Sequence, residues 1–397
     1  MARIAVLACL LLALLPAAAS AAGRAATARG LAAQMRQAGG SSGALAVDLD
    51  TGARIYGLRA GTPRMPASVE KLYTSATALR RMGASTRLQT EILATANPDA
   101  EGVIDGNLYL RGNGDPTFGA SAMKRLAGEL DDAGIATVTG RVVGDESGFD
   151  LRRGVPSSGY ALTSEVGPLS ALTYNRGMTG MRSPFWQPNP AKFAAKAFTR
   201  ALRHRGIDVA RSAQAGVAPG DAEPMGLWRS HSLGVLLRDM NLPSDNFMAE
   251  TLAKVLGARY GDGGTTTEGA AVMRAEMDEL GIGPSLVDGS GLSRSDRTSP
   301  RDVVTLLETM DEEIAFTGSL AIAGRNGTLE DRMRGTAAQD RCQAKTGTRR
   351  DVSALAGYCT TLNGRSVAFA ILMNAVYPYG ARQLQDRMLN ALVRYSG

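Results

Sequence analysis

Histidine is nearly absent: the 397 residues hold two, His204 and His231, in no arrangement that suggests a triad, so imidazole-based activation of a nucleophile is excluded. Cysteine is scarce as well. One of the three, Cys9, lies in the first apolar stretch and leaves Cys342 and Cys359 as a pair for the mature chain. No run of lysines or arginines stands out despite a net charge of +6 and a pI near 9.3, and no nucleic-acid partner is expected. The basic balance suits an acidic polymer or a peripheral association with an anionic membrane or wall, and equally a solvated basic surface. Internal repeats and low-complexity tracts are missing from the mature part. Beyond the N-terminus, no stretch is apolar enough to span a bilayer.

The N-terminus itself runs from Met1 through Arg3 into the apolar segment Ile4 to Leu15, then Pro16 and the small residues Ala17, Ala18, Ala19, Ser20 and Ala21. This is the pattern of a secretory signal peptide over residues 1–21, cleaved near Ala21. The apolar segment is shorter than the roughly 20 residues a spanning helix requires. Export puts the mature chain in the periplasm or cell-wall space, where oxidising conditions let two cysteines bridge. Cys342 and Cys359 are symmetric about a turn near Arg349 to Asp351, so they are expected to face each other across a hairpin.

Patterning divides the rest. Ala44 to Val47 and Arg54 to Leu58, around Asp50-Thr51-Gly52, read as a hairpin. A helix follows from Pro66, with Val69, Leu72, Tyr73, Ala76 and Leu79 on its apolar face and Gly83 as its stop. Short β-like runs then appear at Leu88 to Ala94, Asn107 to Arg111 and Val138 to Val143, with helices at Ala122 to Ala133 and, basic and amphipathic, at Ala191 to Arg205. From His231 the pattern is helical through Leu233 to Met240, Asn246 to Leu256, Thr267 to Leu280 and Arg301 to Met310. It closes on strands at Cys342 to Gly347, Val352 to Tyr358 and Val367 to Met373 and a helix from Ala381 to Tyr395. Both ends thus belong to one α/β unit, residues 22–85 and 227–397, interrupted by an inserted αβ module over 86–226.

Three short motifs occur in order: Ser68-Val69-Glu70-Lys71, Ser244-Asp245-Asn246 and Lys345-Thr346-Gly347. Ser68 and Lys71, three residues apart near a helix start, share one face, so the lysine can take the serine proton. Lys71 then needs an accessible neutral form, which burial or the charge of Lys345 would favour. Ser244, before an apolar helix, stands where an N-cap residue is expected, with Asp245 in support; functionally it can relay a proton from Lys71 to a leaving group. Asn246 can hold Lys71 and a substrate amide. Lys345 and Thr346 offer a cation and a hydroxyl to a carboxylate, and Gly347 lets the strand approach a ligand closely. The N–H groups of Ser68 and Thr348 can form an oxyanion hole. Taken singly, each motif is equally explained by a cap, a solvated side chain or a strand ending in a turn.

Together these segments resemble the D-alanyl-D-alanine carboxypeptidase/endopeptidase family that includes the class C low-molecular-mass penicillin-binding proteins. The resemblance extends to Gly112-Asn113-Gly114-Asp115-Pro116-Thr117 and Asp288-Gly289-Ser290-Gly291-Leu292-Ser293, the latter assigned a loop-shaping role. It implies a penicillin-binding/β-lactamase-like transpeptidase domain, an antiparallel sheet with helices, whose insertion is shorter than in the larger members. Peptidoglycan stem peptides and β-lactams are the implied partners, Ser68, Lys71 and Ser244 the catalytic residues, and Asn246, Lys345, Thr346, Gly347 and Thr348 the substrate-binding ones. No metal and no cofactor is expected. The alternatives are a β-lactamase or esterase on the same scaffold, or an inactive wall-binding protein.

Overall fold

The computed structural model describes residues 23–180 and 185–397. The expected signal peptide over 1–21 lies outside them. Helix α1 (residues 23–37) leads into β1 (Ser42–Asp48) and β2 (Ala53–Leu58), the expected hairpin. Next come a short 3-10 turn (Ala67–Glu70) and α2 (Lys71–Met82), stopped by Gly83 at φ +81°. The chain then leaves the first sheet through β3 (Arg87–Ala94), β4 (Val103–Ile104), β5 (Leu108–Gly112), α3 (Ala120–Asp132), β6 (Thr137–Val138) and β7 (Val142–Asp145). After short 3-10 turns at Pro156–Ser158 and Asn175–Gly177 come α4 (Pro190–His204), β8 (Asp208–Val209), β9 (Gln214–Ala215) and β10 (Glu223–Ser232). The return is helical: α5 (Leu233–Asn241), α6 (Asn246–Tyr260), α7 (Thr266–Glu279), α8 (Pro300–Met310) and α9 (Ile314–Thr317). Strands β11 (Ala321–Ile322), β12 (Cys342–Arg349), β13 (Val352–Thr360) and β14 (Ser366–Asn374) and helix α10 (Pro378–Val393) complete it.

The two ends of the chain close one antiparallel six-stranded sheet in the order β11-β12-β13-β14-β1-β2, because β1 pairs with β14 from Ser42 opposite Met373 to Asp48 opposite Val367. β1 and β14 are apolar on both faces, and both faces are covered. Leu31 and Met35 of α1 pack with Leu384, Met388 and Leu389 of α10 on one side, while α2, α6 and α8 fill the other with Leu72, Leu252 and Leu307. Cys342 lies directly opposite Cys359 in the β12–β13 register and is disulfide-bonded to it. The bond braces the strand that carries Lys345 and suits an oxidising compartment.

Residues between the first two motifs build a second, five-stranded sheet, β10-β3-β5-β7-β9, and a small three-stranded one, β4-β6-β8. The amphipathic α4 covers them with Ala194, Phe198 and Leu202. The sheet extends through β10 to Ser232, where the residue order Glu-Pro-Met-Gly-Leu-Trp-Arg-Ser-His-Ser carries no clean alternation. The same absence of pattern hides the strand from sequence reading.

Candidate active site

Ser68 sits on the 3-10 turn and Lys71 opens α2. Three residues per turn eclipse positions i and i+3, so the two side chains stack directly, and Lys71 Nζ lies 3.1 Å from Ser68 Oγ. Ala67, just before the serine, is held at φ +46°, a left-handed conformation that turns the Ser68 hydroxyl outward. Lys71 is wholly buried, whereas Ser68 keeps partial exposure.

The lysine also donates to Asn246 Oδ1 at 2.7 Å and to the carbonyl oxygen of Ser290 at 2.8 Å. Both are pure acceptors. A neutral amine therefore spends its two N–H groups on them and turns its lone pair to the serine O–H, which is the base geometry required. Burial draws the Lys71 ammonium down to about 8, against the opposing pull of Glu250 and Asp288. Those acids exert less than their full charge. Burial, and then Asp288, pushes Glu250 up to about 8; burial first, then neighbouring carboxyls, pushes Asp296 up to about 9 and raises Glu70 as well. Asp288 accepts the N–H groups of Ser290 at 3.1 Å, Gly291 at 2.7 Å and Ser293 at 2.7 Å, and so aims the Ser290 carbonyl at Lys71. Motif reading reaches Ser290 only as part of a loop-shaping segment and misses its contact with Lys71, because the working atom belongs to the backbone.

Ser68, Ser244, Asn246, Thr346 and Thr348 line one cleft of about 730 Å³, together with Thr328, Arg332 and Arg382. One expectation is corrected here. Ser244 is not the cap of α6: it stands at φ +65°, one residue outside, and Asp245 caps the helix by accepting the Met248 N–H at 2.9 Å. Ser244 is thereby left to face the cleft. Gly347 makes a close approach to protein, since a Cβ there would lie 2.4 Å from the Pro66 carbonyl oxygen and 3.1 Å from the Ser68 nitrogen. The glycine seats β12 against the nucleophile's turn and brings the Thr348 strand beside the Ser68 N–H.

Lys345 is fully buried and donates to its neighbour's carbonyl, Thr346 O, at 3.0 Å. Burial and the charge of Lys71 hold it well below the usual lysine range. Thr346 Oγ1 bonds Thr328 Oγ1 at 2.8 Å, and exposed Arg382 reaches Thr348 Oγ1 at 3.1 Å. The cation presented openly to the cleft beside the strand is thus Arg382, on α10, which sequence order places far from any motif. His204 and His231 lie on α4 and β10, apart from this cleft lining. Among the described residues, no group of three or more His, Cys, Asp or Glu side chains is disposed to hold a metal ion.

A serine hydroxyl resting on a buried lysine amine, at the edge of a β-strand rich in donors, is the equipment of a histidine-free serine hydrolase of the penicillin-binding fold. The chain belongs to the D-Ala-D-Ala carboxypeptidase 3 (S13) family, whose model matches residues 29–184 and 179–395. It is 30% identical over 444 residues to the D-alanyl-D-alanine carboxypeptidase of Actinomadura sp. (strain R39), covering 90% of this chain and 82% of the relative. Identity to carboxypeptidase DacB of Mycolicibacterium smegmatis is 29%, over 88% of this chain and 79% of the relative. In fold it is similar to penicillin binding protein 4 (dacB) of Haemophilus influenzae, with a TM-score of 0.79 at 21% identity over 92% of this chain and 99% of that one.

Proposed function

We propose that this chain performs its family's D-Ala-D-Ala carboxypeptidase/endopeptidase reaction with Ser68 as the nucleophile, on peptidoglycan stem peptides outside the cytoplasm. The observation that carries the assignment is the 3.1 Å contact of Ser68 Oγ with a buried Lys71 whose other two bonds go to acceptors. Ser68 Oγ attacks the carbonyl carbon before the terminal D-alanine while Lys71 takes its proton. The oxyanion accepts the N–H groups of Ser68 and Thr348. Ser244 passes the proton to the departing amine, D-alanine leaves, and water hydrolyses the acyl-enzyme. Asn246, Thr346 and the Gly347 strand hold the peptide. Lys345 acts from beneath, and Arg382 adds charge for the terminal carboxylate. Residues 22–85 and 227–397 form the catalytic unit around the inserted residues 86–226; the separate sheets support an insertion that begins after α2, and β10 carries the inserted sheet past residue 226 to Ser232. The cross-strand disulfide supports export to the periplasm or cell-wall space. β-Lactams acylate the same serine, a reading supported by the H. influenzae relative complexed with a β-lactam. The test is D-alanine release from a peptide ending in D-Ala-D-Ala. Turnover by the wild type that Ser68→Ala and Lys71→Ala abolish supports the assignment, and turnover that survives Ser68→Ala overturns it.

A further inference from the structure

Three consecutive residues of the inserted part, Asn175, Arg176 and Gly177, take left-handed backbone angles, φ +51°, +55° and +73°. L residues enter that region singly and rarely run together in it. The turn is fixed from several sides. The Asn175 N–H donates to Phe118 O at 3.0 Å, and the Gln187 N–H donates to Gly177 O at 2.7 Å. Gln187 Nε2, on a wholly buried side chain, donates to Tyr174 O at 2.9 Å and Met178 O at 2.7 Å. Strain over-determined in this way marks a segment whose shape serves something outside itself.

What the turn presents is the Arg176 side chain. Nη2 donates to Asp245 Oδ2 at 2.5 Å, and the guanidinium stacks over the Phe247 ring at 5.0 Å. Asp245 spends its other oxygen on the α6 cap, and its own N–H on Met240 O at 2.7 Å. Ser244, the preceding residue, is itself left-handed at φ +65°. Both oxygens of the Asp245 carboxylate are therefore fixed, one by α6 and one by the inserted part, beside a serine whose own N–H donates to Asn241 O at 3.3 Å. Released from Arg176, Asp245 could rotate about its remaining bond, and Ser244 could relax into an ordinary conformation that carries its hydroxyl away from the Ser68 leaving-group side.

We propose that Arg176 is a positioning residue for Ser244, through which the inserted part completes the active site. The inference rests on the reading of Ser244 as the proton relay. Arg176→Ala, Arg176→Lys and Arg176→Gly are measured for turnover of a D-Ala-D-Ala peptide and for melting temperature, beside Ser244→Ala and Asp245→Asn. The glycine variant keeps the left-handed turn without strain and removes the whole side chain, guanidinium included. Both Arg176→Ala and Arg176→Gly are expected to lower kcat roughly tenfold with KM little changed, and Arg176→Lys to recover part of the loss. In an Asp245→Asn background, Arg176→Gly should add almost nothing. Unchanged kcat in Arg176→Gly, or an undiminished further loss in the Asp245→Asn background, overturns the proposal. Full turnover in Ser244→Ala refutes the relay reading itself, and this inference falls with it.

Discussion

Gly347→Ala probes the packing of the site with a single methyl group. The added carbon would sit 2.4 Å from Pro66 O and 3.1 Å from the nitrogens of both Ser68 and Val69, all of them backbone atoms with no rotamer to yield. Relief requires β12 and the Ser68 turn to separate by roughly 1 Å, since carbon and oxygen rest near 3.3 Å or beyond. The N–H groups of Ser68 and Thr348, proposed above as the oxyanion donors, sit on the two sides of that gap. Misplacement on this scale costs on the order of 100-fold in rate, and overpacking costs about 1–3 kcal/mol in stability. The β13 side of β12 is untouched, so the fold should survive. The assay is the second-order rate constant for acylation by a fluorescent penicillin, with thermal unfolding as the companion measurement. Acylation within threefold of the wild type, at an unaltered melting temperature, would refute the claim that this glycine sets the spacing of the hole.

Acylation should also report the Lys71 equilibrium. With the ammonium drawn down to about 8, the neutral fraction, and with it the rate, should rise about tenfold per pH unit below that value and level off above it. A flat profile from pH 6 to 9, or a midpoint near the ordinary 10.5, would rule Lys71 out as the titrating base. Replacing Cys342 and Cys359 by serine opens a bridge between residues 17 apart and should cost about 3 kcal/mol in denaturant unfolding. Unfolding free energies equal within error would show that the cross-strand bond is dispensable to the fold.

Much of this arrangement was legible in the sequence because side-chain identity carries it. Ser68, Lys71, Asn246 and Thr346 are chemistry written in short motifs, and the hairpin Cys342 to Cys359 is fixed by two residues equidistant from a turn. Five of the six strands of the sheet followed from apolar runs at both ends of the chain, while the two-residue β11 (Ala321–Ile322) is too short to leave a pattern. What escaped reading depends on three-dimensional approach. The Ser290 carbonyl is a backbone atom whose aim is set by Asp288. Ser244 and Asp245 both suit an N-cap, and only the φ of +65° at Ser244 decides between them. That Gly347 also makes room for the turn before Ser68 is a contact between distant segments that the tripeptide does not announce. Lys345 was expected to offer its charge to the cleft. Its aliphatic stem and ammonium are buried, while Arg382, from the last helix, stands exposed beside Thr348.

The most direct test of the central claim is the mass of the purified protein after incubation with benzylpenicillin, followed by peptide mapping. The β-lactam amide would occupy the place of the scissile bond, and its opened ring keeps the leaving nitrogen attached, where it obstructs water. Glu70 and Glu250, the carboxyls nearest Lys71 in sequence and charge coupling, are absent from the cleft lining. A one-to-one adduct that persists and maps to Ser68, absent in Ser68→Ala and formed far more slowly in Lys71→Ala, is the predicted result. An adduct that survives Ser68→Ala unchanged, or rapid turnover of penicillin with no lasting adduct, would contradict it.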